Sequence, residues 1–283
     1  MITSGYRGVV STMSRTSTAL LVGGIAAYVA ALAVLIGTGH TGVRYSADDA
    51  ETVSLWLLWL PALAGLAVAW AIPPRAPAPD PFAEVDPRLV TRQAGVLAGL
   101  GVAFTVGLHL APRTDLWFVG LKLVLLVAIP WATRMVSWRE WAALGTRGRW
   151  LRPLAAVVAF ELVRSLTGPD SDGVVPDAVT IALVFLFNAV IEEVFYRFWL
   201  QTRLESRYGR WPAILVVSVL WASWHSALLS IAGVGVDLAA AVAKLGVDGL
   251  FLGYLWSRHR NPWVLLLMHG LINAPIVMLL AVR

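Results

Sequence analysis

The chain lacks cysteine altogether and carries little charge. Of its 283 residues, 14% are Asp, Glu, Lys or Arg, whereas 58% are hydrophobic. The absence of cysteine excludes disulfides and thiolate metal sites. The shortage of charge argues against a soluble domain, because a soluble domain of this length needs more charged residues on its surface. The composition is typical of a chain that folds in a membrane.

Apolar runs recur along the whole chain. Each is about 20 residues long, enough to cross a hydrocarbon core of about 30 Å. We therefore predict an all-α fold, a polytopic transmembrane helical bundle with about eight or nine spans. The candidate spans are residues 19–37, 53–72, 94–110, 116–133, 151–166, 178–200, 211–231, 236–256 and 262–281. The first run is long and lacks a convincing cleavage site after it, which favours a retained helix over a signal peptide.

The basic residues indicate how the chain is oriented. They concentrate in alternate connections between the candidate spans, namely the N-terminus and residues 73–93, 134–152, 201–210 and 257–261. The positive-inside rule places these connections, and the N-terminus, in the cytoplasm. An odd number of spans would then leave the C-terminus outside. This distribution explains the net charge of +5 without nucleic-acid binding, which we do not predict.

A proline-rich stretch at residues 73–81 divides the chain. Such a stretch is extended rather than helical and is typical of a linker. We predict that residues 1–93 form a two-helix N-terminal segment with a cytoplasmic linker. Residues 94–283 would form the main helical bundle, with a functional core at about 178–280.

Polar residues occur in three of the apolar spans near the end of the chain. Glu192 and Glu193 are adjacent in one span, with Arg197 one helical turn further on. Ionisable groups at membrane depth are costly, so they usually face a protein interior or a watery cavity and serve function. The next span carries His225, and the last carries His269, with Asn273 one turn later on the same face.

These residue types favour hydrolysis by an activated water. A carboxylate beside a neutral histidine can deprotonate a water, and a second histidine with an amide can stabilise an oxyanion. The same residues leave a metal site open, because Glu192, His225 and His269 would form a two-histidine, one-carboxylate zinc set. A serine nucleophile is not indicated, since no Gly-x-Ser-x-Gly surrounds Ser223 or Ser226.

The motifs resemble those of a known family. Glu192 to Arg197 is similar to the Glu-Glu-x-x-x-Arg motif of the CAAX prenyl endopeptidase and bacteriocin-processing family, also called Abi proteins. Trp221-x-x-x-His225 resembles its aromatic-x-x-x-His motif, with Trp where Phe is usual. The stretch from His269 to Asn273 resembles its His-x-x-x-Asn motif, and the helix containing Gly249 and Gly253 is also similar.

The resemblance implies an intramembrane endopeptidase, a multi-pass hydrolase without a cofactor, described as a glutamate protease. It implies that Glu192 activates water with help from His225, and that His269 and Asn273 stabilise the oxyanion. Glu193 and Arg197 would position Glu192. The tryptophan at position 221 is expected to affect only packing.

Several alternatives stay open at this stage. A zinc-dependent protease would use the same residues, and a proton- or cation-coupled transporter could use the same buried carboxylates. Transporters usually have Gly or Pro breaks beside such charges, and residues 186–200 contain neither. Expected partners are a lipid bilayer and a membrane-embedded or membrane-anchored protein substrate. The preference for arginine over lysine and the abundance of alanine suggest a GC-rich bacterial genome, and hence a bacterial plasma membrane, without naming the substrate.

Overall fold

The computed structural model describes most of the chain and is almost entirely helical. The described residues are 14–44, 52–74, 76, 80–137, 139–140, 150–168, 177–276 and 279. Parts of several predictions lie outside these residues: much of the proline-rich linker, much of the basic 134–152 connection, and the end of the last candidate span.

Nine apolar helical segments occupy the positions of the nine candidate spans within the described residues. In chain order they are α1 Arg15–Gly37, α2 Leu55–Ala71, α3 Pro87–Leu110, α4 Asp115–Ala132, α5 Leu151–Thr167, α6 Ala178–Tyr208, α7 Arg210–Leu229, α8 Val234–His259 and α9 Pro262–Asn273. Six of them, α1, α3, α4, α6, α7 and α8, are long and apolar enough to cross a membrane. The predicted count of eight or nine spans, and the orientation, stay predictions.

The surface of the bundle is apolar, as a lipid-facing surface requires. Helix α1 is hydrophobic around its whole circumference, and large side chains such as Val22, Ile25, Val29 and Ile36 are about half exposed. In water such a surface would be a liability, whereas in lipid it is the expected state. Length and composition thus indicate a multi-pass membrane protein.

Helices α7 and α8 form the most buried part of the molecule. The N-terminal helices pack directly on them: Tyr28 of α1 donates a hydrogen bond to the carbonyl of Gly246 (2.8 Å), and Trp59 of α2 donates one to the carbonyl of Ala243 (2.7 Å). Helices α1 and α2 therefore share the core with the later helices. The predicted boundary at residue 93 stays a prediction.

A short β-hairpin between α1 and α2 was not predicted. Strands β1 (Gly42–Arg44) and β2 (Thr52–Ser54) pair antiparallel, with Val43 opposite Val53. The pairs are too few to form a sheet layer, and the fold remains a helical bundle. The hairpin fixes the connection that α1 and α2 share at one end of the bundle.

Local capping sets the ends of the helices that carry the polar residues. Asp177 precedes α6, and its carboxylate accepts hydrogen bonds from the backbone N–H groups of Thr180 and Val179 and from the Thr180 hydroxyl. These hydrogen bonds, led by that from the Thr180 N–H group, lower the pKa of Asp177 below its usual value. Helix α9 starts with Pro262 after the N-cap Asn261, whose side chain accepts from the Val264 N–H group (3.1 Å).

Candidate active site

Glu192 and Glu193 lie in the irregular middle of α6. The helix widens to π-helical geometry over Phe185–Val190 and again over Glu193–Gln201. Such wide turns are rare and are frequently found at functional sites. Both carboxylates are buried. Because adjacent helical residues point about 100° apart, the two side chains reach different partners.

The carboxylate of Glu192 accepts one hydrogen bond on each oxygen. Lys122 Nζ of α4 lies 2.7 Å from Oε1, and Trp221 Nε1 of α7 lies 2.6 Å from Oε2. Nε2 of His269 is 4.0 Å from Oε2, which is too long for a direct hydrogen bond. A water molecule could contact both atoms at this distance. Three helices besides α6 therefore meet at this one carboxylate.

Glu193 faces a different pair of groups. Its Oε1 accepts from Arg197 Nη1 (3.0 Å), as the spacing along the helix predicts, and contacts His269 Nδ1 at 2.5 Å. Since an ionised carboxylate can only accept, we assign the Nδ1 proton to His269. Nε2 of the same ring is then the nitrogen that faces Glu192.

This arrangement bears on one expected role. The resemblance implies that Glu193 and Arg197 position Glu192, but in the structure they contact His269 and each other. The groups that contact Glu192 are Lys122 and Trp221. Glu193 is thus placed to orient His269, and the expected positioning of Glu192 by Glu193 and Arg197 stays a prediction.

His225 lies at the break in α7, where Arg210–Ser223 ends and the short turn Ser226–Leu229 begins. Its Nδ1 lies 3.1 Å from the carbonyl of Trp221, so Nδ1 donates and Nε2 is left as the acceptor. The ring stacks on Trp224, with centroids 3.6 Å apart, and meets the edge of Trp221 at 5.1 Å. Its position is fixed by these two indoles.

Trp221 is a common neighbour of four of the six predicted residues. Besides its hydrogen bond to Glu192, its ring lies edge-on to His269 (5.5 Å) and beneath the guanidinium of Arg197 (4.6 Å). The expectation that tryptophan here affects only packing does not account for this hydrogen bond. A phenylalanine could fill the space, but it has no N–H group to donate to the carboxylate.

Asn273 ends α9, one turn beyond His269. Its Nδ2 is buried and, among the described residues, has no hydrogen-bond partner. A buried amide donor without a partner costs free energy unless a ligand or water completes it. The Asn273 amide is therefore an unused donor on the same face of α9 as His269. In the described chain, no hydrogen bond joins Asn273 to Glu192 or Glu193.

Lys122 is the residue that sequence reasoning missed. Its ammonium group is fully buried and contacts Glu192 and Asn188. One signal was available, because the chain has only two lysines, Lys122 and Lys244, and Lys122 lies inside an apolar span. The partner could not be foreseen, since Glu192 is 70 residues away along the chain.

The zinc alternative fits this geometry poorly. Among the residues that the structure describes, no group of three or more His, Asp or Glu side chains is placed to hold one metal ion. Glu192, His225 and His269 do converge around Trp221, but the Lys122 ammonium lies 2.7 Å from Glu192 and would repel a cation there. We therefore derive no chemical step through a metal.

The comparisons with known proteins agree with the motifs. Residues 175–275 match a family model described as type II CAAX prenyl endopeptidase, Rce1-like. The matched segment holds all six predicted site residues and ends two residues after Asn273, whereas Lys122 lies outside it. No curated protein and no solved structure matches the chain.

Proposed function

We propose that this chain hydrolyses a peptide bond within the membrane by a water that Glu192 activates, because residues 175–275 match the model of the Rce1-like type II CAAX prenyl endopeptidases, a family of proteases. The observation that carries the proposal is the surroundings of Glu192. Its carboxylate is buried and oriented by two donors, and Oε2 faces an imidazole nitrogen at 4.0 Å.

The proposed reaction starts with the water. Glu192 takes one proton from it, and the acceptor nitrogen Nε2 of His225 helps to orient it. The hydroxide attacks the carbonyl carbon of the substrate, and negative charge develops on the carbonyl oxygen. Glu192 then returns the proton to the leaving amine. The products are a new carboxylate and a free amine, and no covalent intermediate with the protein forms.

The oxyanion would be stabilised from α9. Asn273 Nδ2 is a buried donor without another use in the described chain, and Nε2–H of a protonated His269 is a second donor. Glu193 contacts Nδ1 of that histidine at 2.5 Å and so holds the ring with Nε2 turned away from Glu193. Arg197, in turn, fixes Glu193. This assigns each of the six predicted residues a step.

The substrate class follows from the site's position. The carboxylates lie within α6, a helix long and apolar enough to cross a membrane, so the scissile bond must reach membrane depth. We propose a membrane-embedded or lipid-anchored peptide as the substrate. In a bacterial plasma membrane, the localisation that we predict, a prenylated substrate would be unexpected.

Purified chain in liposomes tests the proposal. The probes are a farnesylated peptide with a CAAX end and a set of transmembrane peptides, with products identified by mass spectrometry. In ¹⁸O-labelled water, one heavy oxygen should enter the new carboxylate. Glu192→Gln should lower kcat by at least about 1,000-fold, and His225→Ala by about 100-fold or more, in line with the loss of a general base and its helper.

A matched control lies on the same helix. Glu205 is also a buried carboxylate paired with an arginine, Arg260. Glu205→Gln should lose stability but keep kcat within about threefold, since the change removes only one charge of a structural pair. Retained cleavage in purified Glu192→Gln would reject the mechanism. Glu192-dependent proton or cation flux without cleavage would support the transporter instead.

The same assay distinguishes a water mechanism from a zinc mechanism. Exhaustive chelation should leave kcat unchanged, because Lys122 already neutralises Glu192. Loss of activity on chelation, with recovery on added zinc and not on calcium, would contradict this expectation.

A further inference from the structure

Four side chains, those of Glu192, Asn188, Phe118 and Trp224, form a cage around the ammonium group of Lys122. Its Nζ donates to Glu192 Oε1 (2.7 Å) and to Asn188 Oδ1 (2.9 Å). The same atom lies over the rings of Phe118 (4.4 Å) and Trp224 (4.7 Å). Two oxygen acceptors and two aromatic faces satisfy a desolvated cation.

The two adjacent carboxylates of α6 have separate cations. Glu193 pairs with Arg197 on its own helix, whereas Glu192 pairs with Lys122 on α4. Without Lys122, Glu192 would lose its nearest positive charge while remaining buried. An uncompensated buried charge is strongly unfavourable, so the carboxylate would gain a proton or move.

The geometry also determines which oxygen of Glu192 faces His269. Lys122 holds Oε1, so Oε2 is turned toward Trp221 and His269. A carboxylate held by one donor can rotate about its terminal bond, whereas donors on both oxygens fix its plane. The lysine thus selects the oxygen that faces the imidazole.

The backbone beside the cage is irregular on both helices. A π-helical turn, Val124–Ala128, begins two residues after Lys122, and Asn188 lies in the π-helical stretch Phe185–Val190. Wide turns of this kind cost helical stability and occur frequently at functional sites. An ion pair that served only packing would not need them.

We propose that Lys122 is a positioning residue of the active site, which neutralises the charge of Glu192 and fixes its carboxylate so that Oε2 meets the reacting water. The inference rests on the proposed function of Glu192. It adds a helix outside the matched segment 175–275 to the site, and therefore makes α4 part of the working enzyme.

The kinetic test compares three single variants of the full chain in liposomes, with the probe peptides named above. Lys122→Met should lower kcat by about 100-fold or more and change KM by less than about threefold, because the lysine contacts the base and not the substrate. Lys122→Arg keeps the charge in a larger group and should recover at least about tenfold of that loss. Lys244→Met, the control, removes the other lysine of the chain, which is half-buried, and should keep kcat within about threefold.

A second measurement does not depend on activity. In thermal unfolding, Lys122→Met should be less stable than wild type, because Glu192 is left unpaired. The double variant Lys122→Met with Glu192→Gln should be more stable than Lys122→Met alone. A double variant that is no more stable than the single one would show that the two charges are not coupled, and would overturn the inference.

The outcomes separate the two proposals. If cleavage depends on Glu192 but Lys122→Met keeps kcat within about threefold of wild type, the positioning role is wrong and the proposed function stands. The positioning role is also wrong if Lys122→Arg is no more active than Lys122→Met. If no cleavage depends on Glu192, both proposals are wrong.

Discussion

The two oxygens of Glu192 accept hydrogen bonds from different helices, and each donor has a distinct chemical character. Lys122 brings a full charge to Oε1, whereas Trp221 brings a neutral N–H group to Oε2, the oxygen that faces His269. The indole can therefore orient the base without neutralising it. Its removal should affect the rate of the chemical step more than the folding of the chain.

The substitution Trp221→Phe tests whether the indole N–H group orients Glu192. Phenylalanine keeps an aromatic ring at the position but deletes the 2.6 Å hydrogen bond to Glu192. A hydrogen bond to a charged group contributes about 1.5–3 kcal/mol, and about 1.4 kcal/mol corresponds to tenfold in rate. We expect kcat to fall about 10- to 100-fold, measured on the purified variant with the probe peptides.

Trp256→Phe is the matched control. Trp256 is equally buried, and its Nε1 donates to the Thr202 hydroxyl (3.0 Å), a neutral acceptor. That variant should lose a comparable amount of stability and keep kcat within about threefold. Equal effects of the two substitutions on kcat would show that Trp221 acts only through packing.

The polar pairs of the site differ in how far sequence predicts them. The Glu193–Arg197 pair follows from one helical turn of spacing and is confirmed at 3.0 Å. The Lys122–Glu192 pair joins two helices whose facing sides hydropathy does not define. The hydrogen bond from Trp221 was missed for another reason, since an aromatic residue in an apolar helix is ordinarily a packing residue.

Helices α7 and α8 approach closely enough to require glycine. A Cβ atom added at Gly249 would lie 2.8 Å from the Ser218 Cβ, 3.0 Å from the Trp221 ring and 3.1 Å from the Ser218 Cα. The last of these is a backbone atom and cannot rotate away. The small residue at 249 therefore sets the distance between α7 and α8, and with it the position of Trp221 beside Glu192.

Gly249→Ala should separate the two helices at this point. Overpacking of this kind costs about 1–3 kcal/mol, which exceeds the gain of up to about 1 kcal/mol from placing alanine in a helix. We expect a lower unfolding temperature and a kcat several-fold below wild type, because Trp221 is displaced. Gly235→Ala on the same helix meets nothing within 4 Å and should be neutral or stabilising.

Hydropathy predicts the positions of the helices along the chain, but not where their backbone departs from α-helical geometry. Each candidate span corresponds to a helix, because a run of apolar residues is itself the physical requirement for burial in lipid. The π-helical stretches at Val124–Ala128, Phe185–Val190 and Glu193–Gln201 leave no such mark. Asn188 and Glu193 lie in two of these stretches, and Lys122 and Glu192 lie within two residues of one.

The molecule as a whole combines long helices with three shorter ones. At about 1.5 Å per residue, the 17 residues of α2 span about 26 Å, slightly less than a hydrocarbon core of about 30 Å. Helix α2 packs against α5, which has the same length. Whether this short pair crosses the membrane decides the number of spans and the side on which each connection lies.

Cysteine labelling can test directly whether α2 crosses the membrane. The chain has no cysteine, so single cysteines can be introduced without background labelling. Thr52 precedes α2, Glu84 follows it, and both side chains are exposed. If α2 crosses the membrane with the basic 73–93 connection inside, an impermeant maleimide should label Thr52→Cys in intact cells and Glu84→Cys only after permeabilisation. Labelling of both in intact cells would show that α2 does not cross, and the reverse pattern would invert the orientation. Labelling of Thr52→Cys alone in intact cells would also place the N-terminus in the cytoplasm. Helix α1 is long enough to cross the membrane, so the N-terminus would lie on the side opposite to the hairpin.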